Sequence, residues 1–146
     1  RVSKDKTIEL VYSVLMWSGI RLIEAIDFLS SYDEAKFKKH NGFVSYAVGY
    51  RRGQKQVNTI FLPDSVYGKL FHISSSYGYI RKRYNQLGGS ISLKYLRKWN
   101  FNMLLYKGVP ESVADFIQGR SSGSIGSSHY MAKGQQAEYW YGKIIS

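Results

Sequence analysis

The chain has 146 residues, 44% of them apolar and 21% charged, which suits one folded domain with a real core rather than a disordered chain or two full-sized domains. Cysteine is absent, so disulfide scaffolds and thiol-ligated metals are excluded and an intracellular setting is expected. Net charge is +11, no stretch approaches the roughly 18 apolar residues of a membrane span, and no signal-peptide cleavage pattern is present.

In chain order, Ile8, Val11, Tyr12, Leu15 and Met16 recur at helical spacing, and Gly19 stands where a C-cap belongs. A second helix is expected over 21–30, with Leu22, Ile23, Ile26 and Leu29 as its buried stripe. The period then changes. "FVSYAVGY" and "KQVNTIFLP" are β-branched and aromatic runs around "RRGQ", the pattern of a hairpin with Gly53 in its turn. Pro63 and Asp64 open a helical stretch, and "GYIRKRYNQL" is a further short helix closed by Gly88 and Gly89. Ser90 is the expected N-cap of the next helix, which Gly108 ends. Pro110 and Glu111 suit the first turn of another, stopped by Gly119. "SSGSIGSS", residues 121–128, is a small-residue tether leading to a last helical segment. The expected class is α+β, mostly helical, with a small antiparallel sheet made of the hairpin and room for a third strand.

The charge is segregated. Residues 35–110 hold fourteen Lys and Arg against one acid, Asp64, a net +13, while the flanks together carry −2. A basic block of this kind is the electrostatic footprint of a polyanion partner, most often nucleic acid; a face tuned only for solubility is the alternative. Within the block, Arg51, Arg52, Arg81, Lys82, Arg83 and Lys98 are candidates for contacting DNA phosphates.

"LKYLRKWN", residues 93–100, sets Lys94 and Arg97 inside an apolar helical pattern. At about 100° per residue, Arg97 falls between Leu93 and Leu104, with Phe101 on its other side. A guanidinium against an apolar wall loses hydration and needs an anion to answer it. With few acids nearby, a ligand phosphate is the economical partner, and snorkelling to water is the alternative. Arg21, at a helix-to-helix joint, and Arg120, after the Gly that ends a helix, are similarly odd.

"SGIRLIEAIDFL" resembles the first motif of the tyrosine recombinase (phage integrase) family, usually Thr-Gly-Leu-Arg. "LKYLRKWNFNMLLYKGVPESVADFIQGR" resembles the second: a His or Lys, two residues, an Arg, a helix, a Gly-apolar-Pro turn and a Leu-Gly-His or similar ending. "SSGSIGSSHY" matches the Ser/Thr-rich link to the nucleophilic tyrosine, and the cation-rich hairpin matches the element with the catalytic lysine. Lys94 replaces the second-motif His, and Arg120 replaces a later His or Trp, a pattern most like the integrases of archaeal fuselloviruses. The chain opens on Arg1, and no segment matches the family's N-terminal DNA-clamping domain. The expectation is therefore one isolated catalytic domain over 1–146 with the tyrosine recombinase fold.

The resemblance implies site-specific DNA recombination and viral integration. Tyr130 attacks a DNA phosphodiester to form a 3′-phosphotyrosine, while Arg21, Arg97 and Arg120, assisted by Lys94, neutralise the phosphate. Lys55 is the candidate general acid, with Arg52 and Arg51 as rivals, and Tyr139 and Tyr141 remain alternatives to Tyr130. Arg21 has a plainer reading as a helix-start residue paired with Glu24, and His129 is a tempting base beside Tyr130. His40 and His72 read as surface or core residues. With no Cys, three His and few acids, neither a metal nor a cofactor is expected. The implied partner is double-stranded DNA at attachment sites, bound by a homotetramer that is a monomer or weak oligomer when free, with no membrane role. The implied setting is the host interior, from a viral gene. A type IB topoisomerase and a non-catalytic DNA-binding module are the competing readings.

Overall fold

The computed structural model describes residues 5–48, 59–89, 91–120 and 127–146, with side chains in the last stretch from residue 132 onward. Helix α1 (Lys6–Ser18) begins where the Asp5 carboxylate accepts the N–H groups of Thr7 and Ile8, at 3.0 and 3.2 Å. Burial raises the Asp5 pKa, but Arg83, bonded to it at 3.0 Å, and the two N–H groups outweigh that and hold it below the ordinary value. The helix ends at Gly19, whose φ of +73° lets its N–H reach the Leu15 carbonyl.

Helix α2 (Leu22–Ser31) follows, then a short 3₁₀ turn and a three-stranded antiparallel sheet ordered β1 (Phe37–Lys39), β2 (Phe43–Ala47), β3 (Thr59–Pro63). The register pairs Phe43 with Pro63 and Ala47 with Thr59. The hairpin and the third strand are both present; the expected turn at Gly53 lies outside the described residues. Helices α3 (Asp64–Tyr67), α4 (Tyr77–Gln86), α5 (Tyr95–Tyr106), α6 (Glu111–Ile117) and α7 (Ser127–Ile145) complete the described chain.

Strand alternation decides the layering. Val44, Tyr46, Ile60 and Leu62 join Val11, Leu15, Ile26, Phe28 and Leu29 in one buried cluster. Phe43 and Phe61, one residue out of phase, join Leu104, Val113, Ile117, Ala137, Tyr141 and Ile144 in a second. The sheet is thus covered on both faces, by α1 and α2 on one side and by α6 and α7 on the other, an α+β and mostly helical domain.

Four expectations shift. Ile23 is 48% exposed, because the inner face of α2 carries Ala25, Ile26, Phe28 and Leu29. Tyr12 and Met16 are only half-buried, and Leu10 and Val14 take the deeper positions of α1. Helix α5 starts at Tyr95, where Ser92 Oγ accepts the Lys94 N–H at 3.2 Å; Ser90 lies outside the described residues. Helix α7 already includes Ser127 and Ser128, so the expected tether is shorter by those two residues, and 121–126 lie outside the described residues.

Gly19 does more than cap. A Cβ there would collide with the Asn100 amide and stand 2.6 Å from Gln118 Nε2. Gly19→Ala combines that overlap, typically 1–3 kcal/mol, with a left-handed backbone, about 1–2 kcal/mol. Urea unfolding of the variant should therefore show a loss of about 3 kcal/mol; a loss below about 1 would mean that the contact yields.

Candidate active site

Two apolar anchors, Leu93 and Leu96, seat the start of α5, and Asn100 and Leu104 continue the same face inward. Arg97 stands beside that face, half-buried. Its Nε donates to the Gly19 carbonyl at 3.0 Å, and its Nη2 donates to the Gln118 carbonyl at 2.7 Å. The protein itself therefore answers this guanidinium, which corrects the expectation that only a ligand phosphate or water would do so. Both acceptors lie just past helix ends, where carbonyls lack intrahelical partners and the dipole is negative.

Arg21 enters from the α1–α2 joint. Its N–H donates to Glu24 Oε1 at 3.1 Å, and its Nη1 lies 3.5 Å from the same oxygen. The expected pairing with Glu24 is thus present. Even so, Nη1 is a buried nitrogen with no hydrogen-bond partner. Arg120, just past α6, donates from Nε to Gln118 Oε1 at 2.8 Å and lies over the Phe101 ring at 5.3 Å. Burial, followed by repulsion from Arg21 and Arg120, pushes the Arg97 pKa down to about 10.

These groups open on one cleft of about 1200 Å³ that Arg21, Lys94, Arg97 and Arg120 line together with Arg81 and Lys98. Residues from four separate segments thus converge, and the cleft has no carboxylate among its described lining residues. Lys94 is exposed at its margin. Lys82 is exposed but does not line the cleft, and Arg83 is engaged with Asp5 at 3.0 Å. Arg51, Arg52 and Lys55 lie outside the described residues. Tyr130 falls in the first turn of α7, with its side chain, like that of His129, outside the description.

Of the other tyrosines weighed, Tyr141 is fully buried and donates to the Trp17 carbonyl at 2.6 Å, and burial raises its pKa well above the ordinary value. Tyr139 is 59% exposed in a separate depression beside His40 and Glu138. His40 bonds Ser45 at 2.8 Å and stacks on Phe43, and His72 bonds the Tyr32 carbonyl at 2.8 Å.

The archaeal phage integrase family matches the chain over residues 1–146. The chain belongs to that family. Membership implies DNA integration by site-specific recombination, with DNA as the partner. No curated protein matches the chain. Among the described residues of this integrase, no helix is long and apolar enough to cross a membrane, and no cluster of His, Cys, Asp and Glu could hold a metal.

Sequence reasoning missed Asn100 and Gln118, both 0% exposed. The signal was there for Asn100, a polar residue on the Leu93–Leu96–Leu104 stripe. Gln118 carried none until its neighbours were known.

A buried guanidinium nitrogen among like charges, with an ion pair to Glu24 but no hydrogen-bond partner among the described residues, should welcome a tetrahedral dianion. Replacing chloride by sulfate at equal ionic strength should raise the melting temperature by about 3 °C more in the parent than in Arg21→Ala, a shift typical of roughly tenfold saturation. Equal shifts in the two proteins would argue against an anion seat at Arg21.

Proposed function

We propose that this domain cuts and rejoins DNA at attachment sites through a 3′-phosphotyrosine link to Tyr130. The supporting observation is the convergence of Arg21, Arg97 and Arg120 on one cleft, with Arg21 Nη1 buried and ion-paired to Glu24 at 3.5 Å but without a hydrogen-bond partner among the described residues. A displacement at phosphorus concentrates negative charge on the non-bridging oxygens, and fixed guanidinium groups lower that barrier without reorganising. Loss of one such donor typically costs about 3 kcal/mol, a hundredfold or more in rate.

A free tyrosine phenol, with a pKa of about 10, is a weak nucleophile at neutral pH, so attack by Tyr130 relies on the cationic cleft to make the phosphorus electrophilic. The phenol releases its proton to water as its oxygen bonds to phosphorus and the 5′-oxygen departs, and the departing oxygen takes a proton from Lys55, with Arg52 and Arg51 as rivals for that role. Reattack by a 5′-hydroxyl frees Tyr130 and restores the phosphodiester, so neither nucleotide nor metal is consumed. Only residues 121–126 separate Arg120 from α7, which keeps the start of that helix within about 25 Å of Arg120. On paired sites, four copies would exchange strands, and the exposed Arg81, Lys82 and Lys98 would hold the flanking backbone.

The test is a nicked suicide duplex incubated with the protein in EDTA. A covalent adduct should form with the parent and vanish with Tyr130→Phe, and its yield at fixed DNA should fall about a hundredfold or more with Arg97→Ala. An adduct that survives Tyr130→Phe would displace Tyr130 as nucleophile. Salt-sensitive binding with no adduct from the parent would leave a DNA-binding module instead. Separately, Lys55→Ala should be slow on ordinary DNA and restored by a 5′-phosphorothiolate, whose sulfur leaves without a proton. Lack of restoration would move the acid to another residue.

A further inference from the structure

The Gln118 side chain is 0% exposed, yet both of its polar atoms are engaged. Its Nε2 donates to the Arg97 carbonyl at 2.9 Å and to Asn100 Oδ1 at 2.7 Å, and its Oε1 accepts from Arg120 Nε at 2.8 Å. Asn100 Nδ2 in turn donates to the Met16 carbonyl at 3.0 Å. An isolated amide can be turned end for end, but here the partners fix both amides. The Met16 and Arg97 carbonyls only accept, and the Arg120 guanidinium only donates. The result is a relay with one polarity, running from the end of α1 through α5 to the guanidinium of Arg120.

Arg120 is exposed, and a long exposed side chain ordinarily samples many rotamers. Two contacts restrain this one: Gln118 holds Nε, and the Phe101 ring lies against the guanidinium at 5.3 Å. An edge contact plus a face contact fixes a plane, and among the described residues the Nη edge is what remains to meet a ligand oxygen. The Leu-Gly-His ending of the resemblance reads Gln118-Gly119-Arg120 here, and a Leu would offer no acceptor to hold an Arg.

We propose that Gln118 is a positioning residue whose buried amide fixes the guanidinium plane of Arg120 against the scissile phosphate. The proposal rests on the strand-cleavage reading above. Without the Oε1 acceptor, Arg120 keeps its charge and loses its aim, so binding survives while the chemical step slows.

The experiment measures single-turnover adduct formation on the suicide duplex for the parent, Gln118→Met, Arg120→Ala and the double variant, with DNA affinity and the melting curve recorded for each. Gln118→Met should form adduct about a hundredfold more slowly, the scale of a small misplacement, with Kd within about threefold of the parent. In the Arg120→Ala background the same substitution should cost less than about threefold, because there is no longer a guanidinium to aim. An undiminished rate in Gln118→Met overturns the proposal, and so does the same loss in both backgrounds, the mark of a purely architectural residue. If Gln118→Met does not melt cooperatively, Gln118→Asn replaces it in the cycle, drawing the same amide back by one methylene, and the same two outcomes decide. Absence of adduct from the parent would overturn the cleavage reading itself, and that result is read before any variant is compared.

Discussion

Arg97 gives its Nε–H to the carbonyl of Gly19 and an Nη–H to the carbonyl of Gln118, two acceptors left over where α1 and α6 stop. Through these bonds one guanidinium clips two helix ends to the flank of α5. The Asn100–Gln118 amide pair closes the same joint from the buried side. Gly19 has to be a glycine twice over: its φ is positive, and its Cα faces those amides too closely for a Cβ. The rest of the cleft follows from this joint, because Arg21 leaves α1 two residues beyond Gly19 and Arg120 leaves α6 two residues beyond Gln118.

Burial is the larger cause of the depressed Arg97 pKa, and the electrostatic cost of holding three guanidinium groups together adds to it. Among the described residues, main-chain carbonyls and one nearby carboxylate, Glu24, which reaches Arg21, offset part of the cost. Carbonyls at helix ends supply a negative dipole without a net charge, so the cleft stays strongly cationic while its buried member is still hydrogen-bonded. A full complement of carboxylates would have stabilised the empty cleft better and left less attraction for a phosphate. The Nη1 of Arg21 fits the same logic: it is ion-paired to Glu24 at 3.5 Å, yet it has no hydrogen-bond partner among the described residues.

Helix α7 is docked by Ala137, Tyr141 and Ile144 against Phe43, Phe61 and the α6 cluster, and Tyr141 adds a bond to the Trp17 carbonyl at the far end of α1. The aromatic residues near the C-terminus are therefore split by burial. Tyr141 is a core residue whose hydroxyl is spent on structure, and Tyr139 faces solvent away from the cationic cleft. The same helix carries Tyr130 in its first turn.

Several features were legible in the sequence because they are local. Period 3.6 in 8–16, period 2 in 43–47, glycines at positions 19, 108 and 119 with positive φ, and the concentration of cations in 35–110 all depend on residues close in the chain. The order and spacing of the motifs from Arg21 through the hairpin, Lys94, Arg97 and Arg120 to Tyr130 likewise pointed to the family. What the tertiary structure alone decided is the partner of each charge that pairs over a long stretch of chain. Arg97 is paired with carbonyls 78 and 21 residues away. Arg83 is drawn 78 residues back to Asp5. Gln118, unremarked in its own helix, becomes a hub only when α5 lies against it. Every main-chain carbonyl looks alike in a sequence, so which one is left unpaired beside a given guanidinium is fixed by how the helix ends meet in space.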